Sequence, residues 1–243
     1  MTVMQASNIA EPTQAESWKM FDRIARRYDF LNRLLSFRRD VAWRRRMIQC
    51  LPEGDSLNLL DLATGTGDVL INIYHTSGKI EKGIGLDMSS GMLSFGRTKL
   101  IQQRLTDHLR LMRGDAMTMG LADETFDVAT MSFGIRNVSD VPKALRDIHR
   151  VLKQGGRALI LEFSIPKNPL FRSLYLFYFR HVLTRIGGWV SGDSQAYKYL
   201  NSTVEAFPYG DAFTTLMTDA GFQRIEAHEL TFGIATLYVG DKE

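Results

Sequence analysis

Apolar residues change period along the chain, and the change marks out its elements. Trp18, Phe21, Ile24, Ala25 and Tyr28 recur at helical spacing, with Arg23, Arg26 and Arg27 on the other side, which predicts an amphipathic helix. A second helix is predicted over residues 41–51, stopped by Pro52 and Gly54. From residue 57 the pattern turns to short apolar runs at 57–62, 83–87, 109–114, 126–133 and 157–163, separated by stretches long enough for crossover helices. That alternation predicts an α/β fold with a mostly parallel sheet. The best-marked helix spans 140–152: Val141, Leu145, Ile148 and Leu152 form a stripe, Pro142 sits in the first turn, and Gly155-Gly156 ends the unit. Residues 165–206 break the rhythm with an aromatic and basic run around Leu174–His181, which suits a lid-like insertion. The rhythm resumes with a helix over 211–220 and strands over 223–230 and 234–240, an antiparallel hairpin at the sheet edge. The expected organisation is a tail at 1–16 and one domain at 17–243, with a helical cap over 17–52.

Composition narrows the class without naming it. With 243 residues, 44% of them hydrophobic, the chain can bury one sizeable core. A formal charge of +3 gives no expectation of a nucleic-acid partner. Cys50, alone, forms no intramolecular disulfide, and no cysteine and histidine cluster has metal-ligand spacing, so a reducing cytoplasm and no metal are expected. Neither a secretion signal nor an uncharged run of roughly 20 residues is present, so the chain is expected to be soluble or peripherally attached.

Chemistry concentrates where the predicted strands end. Gly65-Thr66-Gly67 follows the first, and glycines there admit positive φ while the next helix offers free amides. The plain alternative is a tight strand-to-helix turn. Asp87, 20 residues beyond Gly67 at the end of the second strand, can accept both hydroxyls of an adenosine ribose. Asp115 ends the third strand, within reach of an adenine amino group, and Ser132 closes the fourth. A dinucleotide site would want a third glycine, but Leu70 stands there. Asp68 behind the loop is poor for a pyrophosphate yet tolerable beside a sulfonium, which favours S-adenosylmethionine. Asp61 is a partner for that cofactor's ammonium or, equally, a carboxylate fixing its own loop.

The chain resembles the ubiquinone/menaquinone biosynthesis C-methyltransferases, the UbiE/MenG family, from about residue 17 onward. The resemblance rests on Phe21-Asp22-x-Ile24-Ala25-x-x-Tyr28-Asp29-x-x-Asn32, on Leu60-Asp61-Leu62-Ala63-x-Gly65-Thr66-Gly67-Asp68, and on Ser132-Phe133-Gly134-x-Arg136-Asn137-Val138. Leu161-Glu162-Phe163-Ser164, Tyr199-Leu200 and Ala220-Gly221-Phe222 also match. It implies a class I S-adenosylmethionine-dependent methyltransferase, with a Rossmann-like seven-stranded sheet and helices on both faces. The implied reaction moves a methyl group to a ring carbon of a prenylated quinol, leaving S-adenosylhomocysteine. Implied cofactor contacts fall on Thr66, Asp87, Asp115, Ala116 and Ser132. The chain departs from the family at Arg38, where glycine is usual. Its closing Leu230–Tyr238 run looks more like the menaquinone branch, making demethylmenaquinol the expected acceptor and the benzoquinol precursor of ubiquinone the alternative.

Within that resemblance Arg136 is the candidate to stabilise a developing phenolate, since its guanidinium stays charged; its alternative is a structural ion pair. Asn137 would orient the ring oxygen or Arg136. Tyr28, Asp29 and Asn32 would close the site, or simply tie helices together. The stretch 170–189, with Arg172, Arg180, His181 and Arg185, reads as a channel for the prenyl tail touching the inner face of the membrane, or as core or a homodimer face. Two rivals remain: methylation of another hydrophobic small molecule, and a non-catalytic adenosine-binding subunit.

Overall fold

The computed structural model describes residues 14–23, 25, 39–183 and 194–243. The expected tail up to residue 13, the end of the first helix with Tyr28, Asp29 and Asn32, and the stretch 184–193 with Arg185 lie outside the described residues.

Seven strands form one sheet: β1 (Leu57–Leu62), β2 (Ile80–Asp87), β3 (Leu109–Arg113), β4 (Phe126–Ser132), β5 (Leu152–Phe163), β6 (Gln223–Leu230) and β7 (Ala235–Asp241), in the order β3-β2-β1-β4-β5-β7-β6. β1 to β5 pair in parallel, and β7 runs antiparallel between β5 and β6. Helices are α1 (17–23), α2 (Arg39–Gln49), α3 (Asp68–Ser77), α4 (Ser90–Gln102), α5 (Val141–Val151), α6 (Pro169–Phe177), α7 (Ser194–Ala206) and α8 (Asp211–Asp219).

Strand alternation builds two cores. Leu57 and Leu59 of β1 pack with Met47 of α2, Ile73 of α3 and Leu93 of α4. Leu60 and Leu62 point the other way, to Leu145 and Ile148 of α5 and Phe213 of α8. Both faces are thus covered, as a mostly parallel sheet requires. α5 begins as its sequence dictates: Asp140 accepts from the Lys143 amide at 2.9 Å and Pro142 occupies the first turn.

The second strand starts three residues earlier than the apolar pattern indicates, because Glu81 and Lys82 are exposed there. β5 starts at Leu152, across a register shift opposite Phe126 and Val128 that side-chain pattern does not reveal. The insertion is helical. Its α6 and α7 carry Tyr175 and Tyr199 into a third apolar cluster with Phe179 and Met20, which ties the insertion to α1.

Chain order reverses between β1 and β4, so a crevice opens at their carboxyl ends. There the turn after β4 presses on the turn after β1: a Cβ at Gly134 would lie 2.4 Å from the Ala63 Cβ. Only glycine fits.

Candidate active site

The glycine turn adopts the conformation its residues permit. Gly65 and Gly67 have φ of 57° and 77°, and Gly67 leads into α3. The Gly65 amide donates to Asp87 Oδ2 and the Ser89 amide to Asp87 Oδ1, both at 2.8 Å. A carboxylate has about four lone-pair sites, more than these amides fill, so Asp87 can still accept from a ribose. Burial pushes the Asp87 carboxyl upward, and these amides pull it back. α1 covers the cleft from above. Its Asp22 accepts from the Ser89 hydroxyl and from the Gly91 amide, the latter at 2.9 Å.

The cleft measures about 930 Å3 with its open mouth included. Of the residues expected to touch the cofactor, Gly65, Asp87, Asp115, Ala116 and Ser132 line it. Trp18 and Phe21 of α1 and Met88, Met117 and Phe133 add an apolar wall. Asp115 is held by the Met117 amide at 2.9 Å. Ser132 Oγ and Asn137 Oδ1 are buried without a partner in the protein, a cost of about 1–3 kcal/mol each that a ligand would remove. Phe133 has φ of 57°, a strained backbone at the mouth of the site.

Three expected contacts lie off the wall. Asp61 is buried and accepts from the Thr64 and Thr130 hydroxyls at 2.6 Å; it fixes its own loop, and burial raises its pKa to about 6. Thr66 accepts at 2.7 Å from Lys99, and Gly67 packs near Leu111. Asp68 meets Lys99 at 2.6 Å and Arg44 at 3.9 Å, so its charge is already matched by cations. That corrects the electrostatic case made from Asp68 for a sulfonium.

Arg136 and Asn137 lie in a 310 turn, Ile135–Asn137. Asn137 reaches the cleft; Arg136 does not line it. The guanidinium, 4% exposed, donates from Nη1 to Glu162 Oε1 at 2.8 Å and to the Phe133 carbonyl at 2.6 Å. The ion-pair reading of Arg136 is therefore the arrangement present, because β5 ends with a carboxylate beneath it. Asp22, Lys99 and Glu162 were missed as site residues. A charged residue inside the apolar run of β5 was the available signal for Glu162.

These features suit S-adenosylmethionine: amides at the start of α3, open lone pairs on Asp87, a carboxylate at the end of β3, and thioethers around a flat ring. The sheet order and the cleft define the class of S-adenosylmethionine-dependent methyltransferases with a Rossmann-like fold. A protein of Thermotoga maritima described as an SAM-dependent methyltransferase, possible histamine N-methyltransferase, superposes with a TM-score of 0.64 over 93% of this chain and 99% of its own, at 22% identity. That likeness bears on the fold alone.

Residues 10–242 match the model of the ubiE/COQ5 methyltransferase family, and the chain belongs to that family. The ubiquinone/menaquinone biosynthesis C-methyltransferase UbiE of Geobacter sulfurreducens is 44% identical over 92% of this chain and 87% of its own. Demethylmenaquinone methyltransferase of Thermus thermophilus is 42% identical over 92% of this chain and all of its own length.

Proposed function

We propose that demethylmenaquinol is the acceptor and that the chain converts it to menaquinol. The coarser statement stands on family membership: the chain is an S-adenosylmethionine-dependent C-methyltransferase acting on a prenylated quinol in quinone biosynthesis. The observation that supports a methyl transfer at this cleft is the pair of unpartnered buried atoms, Ser132 Oγ and Asn137 Oδ1, beside the diol-accepting Asp87. The cofactor supplies a methyl group on a sulfonium. The protein holds the quinol carbon in line with it and excludes water, and placement of this kind can supply roughly 7–11 kcal/mol. Asn137 orients a ring oxygen. Arg136, bound to Glu162, contributes through the field of its guanidinium and through the turn it holds.

Peripheral attachment to the cytoplasmic face of the membrane is part of this reading, with residues 165–206 as the contacting lid. No described helix is long and apolar enough to cross a membrane. Yet Leu170, Leu174 and Phe177 form an exposed stripe on α6, and Phe232, 81% exposed, stands beside it with its ring 5.2 Å from Phe171. Arg172, Arg180 and His181 flank the stripe, as an interfacial helix would have them.

One assay tests both parts. Purified protein, labelled methyl donor and demethylated naphthoquinols or benzoquinols are combined in anionic liposomes. Preferred labelling of the naphthoquinol is expected, with Leu174→Asp slowing labelling in liposomes and not in detergent. Preference for the benzoquinol overturns the acceptor. Equal rates for Leu174→Asp in both media remove the membrane face.

A further inference from the structure

α1 lies across the cleft and is tied down on both sides of it. Just before the helix, Gln14 Nε2 donates to the Arg136 carbonyl at 3.0 Å, and the Ser17 hydroxyl donates to the Gln14 carbonyl at 2.9 Å. Ser17, Trp18 and Phe21 line the cleft, and the Trp18 ring centroid lies 5.5 Å from the Arg113 guanidinium at the end of β3. Further along α1, Asp22 reaches the start of α4, where its Oδ1 accepts from both the Ser89 hydroxyl and the Gly91 amide.

The two helices are shaped for this contact. Ser89 is fully buried and caps α4, its Oγ accepting from the Met92 amide at 3.1 Å. Its proton is left to donate to Asp22, so a carboxylate from α1 caps the same helix end. Gly91 makes room: a Cβ there would stand 2.9 Å from Asp22 Oδ1. Ser89 also joins the contact to the cofactor site, since its amide donates to Asp87 Oδ1 at 2.8 Å. Asp22 and Asp87 thus share one serine, and the Asp22 charge adds to the upward push on the Asp87 carboxyl. Ligand donors on Asp87 stabilise its charged form against that repulsion, so a filled site and a seated α1 favour each other.

We propose that Asp22 is a positioning residue for the cofactor: it latches α1 across the cleft and, through Ser89, steadies Asp87, so that cofactor and product exchange only when the latch opens. The proposal rests on the reading of Asp87 as the ribose carboxylate. Asp22 is not part of the cleft wall; it acts through α1 and Ser89.

The test is the rate at which labelled S-adenosylhomocysteine, loaded on the full chain, is chased off by excess unlabelled ligand. Asp22→Ala should release it at least tenfold faster and bind it correspondingly more weakly, with Asp22→Asn, which keeps an oxygen there, between it and wild type. Gly91→Ala is the second variant. Alanine suits a helix, so the ligand-free melting temperature should stay within a few degrees of wild type, yet the new Cβ displaces Asp22 Oδ1 and release should quicken. Because both changes break one contact, the double variant should release no faster than Asp22→Ala alone. An unchanged release rate in Asp22→Ala overturns the proposal, as does additive acceleration in the double variant. Asp87→Asn separates the latch from the reading beneath it: if S-adenosylhomocysteine affinity is unchanged there, the ribose assignment fails, while tenfold faster release from Asp22→Ala still supports the latch.

Discussion

The two ends of the cleft treat their polar groups in opposite ways. At the β1–β2 end Asp87, Asp22, Asp61 and Thr66 all have partners within the protein. At the β4–β5 end Ser132 and Asn137 each keep an atom without one. The first end is preorganised by its own hydrogen bonds and needs only a diol to complete Asp87. The second is complete only when a ligand brings oxygen atoms to it.

Three experiments would break or sharpen that contrast. The largest effect on ligand binding is expected at Asp87. Asp87→Asn keeps the shape but loses the charge and one acceptor, and hydrogen bonds to a charged group are worth about 1.5–3 kcal/mol each. S-adenosylhomocysteine affinity by calorimetry should fall about 100-fold or more, and an unchanged affinity would remove the ribose role.

Next is the buried pair under the acceptor end. Glu162 is 1% exposed, so Glu162→Ala strands the Arg136 guanidinium and should cost about 3–5 kcal/mol in urea unfolding. The double variant Glu162→Ala/Arg136→Met should recover most of that loss. A single-variant cost below about 1 kcal/mol would mean that Arg136 is not held by this pair. The same pair makes Arg136→Ala a poor probe of catalysis, because it would leave Glu162 buried and uncompensated.

The smallest effect lies in pH. The Asp61 carboxyl is raised to about 6 in the fold, above an unfolded value near 3.9. The native state therefore binds the extra proton, and this contribution to stability is full below about pH 3.9 and lost as pH rises through about 6. Asp61→Asn, which resembles the protonated form, should flatten the fall in melting temperature between pH 4 and 6.5, by up to about 3 kcal/mol at the upper end. Asp87, raised in the same direction, would leave a residual slope. An Asp61→Asn profile parallel to wild type would mean that the burial of Asp61 does not perturb it.

Much of this was legible along the chain. Period-two and period-3.6 apolar patterns are local consequences of burying one face or stripe, so five strands, the α5 helix and the edge hairpin could be read directly. Gly65 and Gly67 announce positive φ by lacking a Cβ, and Asp87, Asp115 and Ser132 announce themselves as polar residues closing apolar runs. Motif identity carried the reading from an adenosine site to a quinol methylase. What stayed hidden depended on partners far along the chain. Glu162 meets Arg136 across 26 positions and Lys99 meets Asp68 across 31; no local pattern encodes which cation neutralises which carboxylate. The tertiary structure therefore decided that Asp61, Thr66 and Asp68 are bonded to groups within the protein and that Arg136 is clamped. Periodicity fixes which face is buried, and only packing decides which polar atoms that burial leaves unsatisfied.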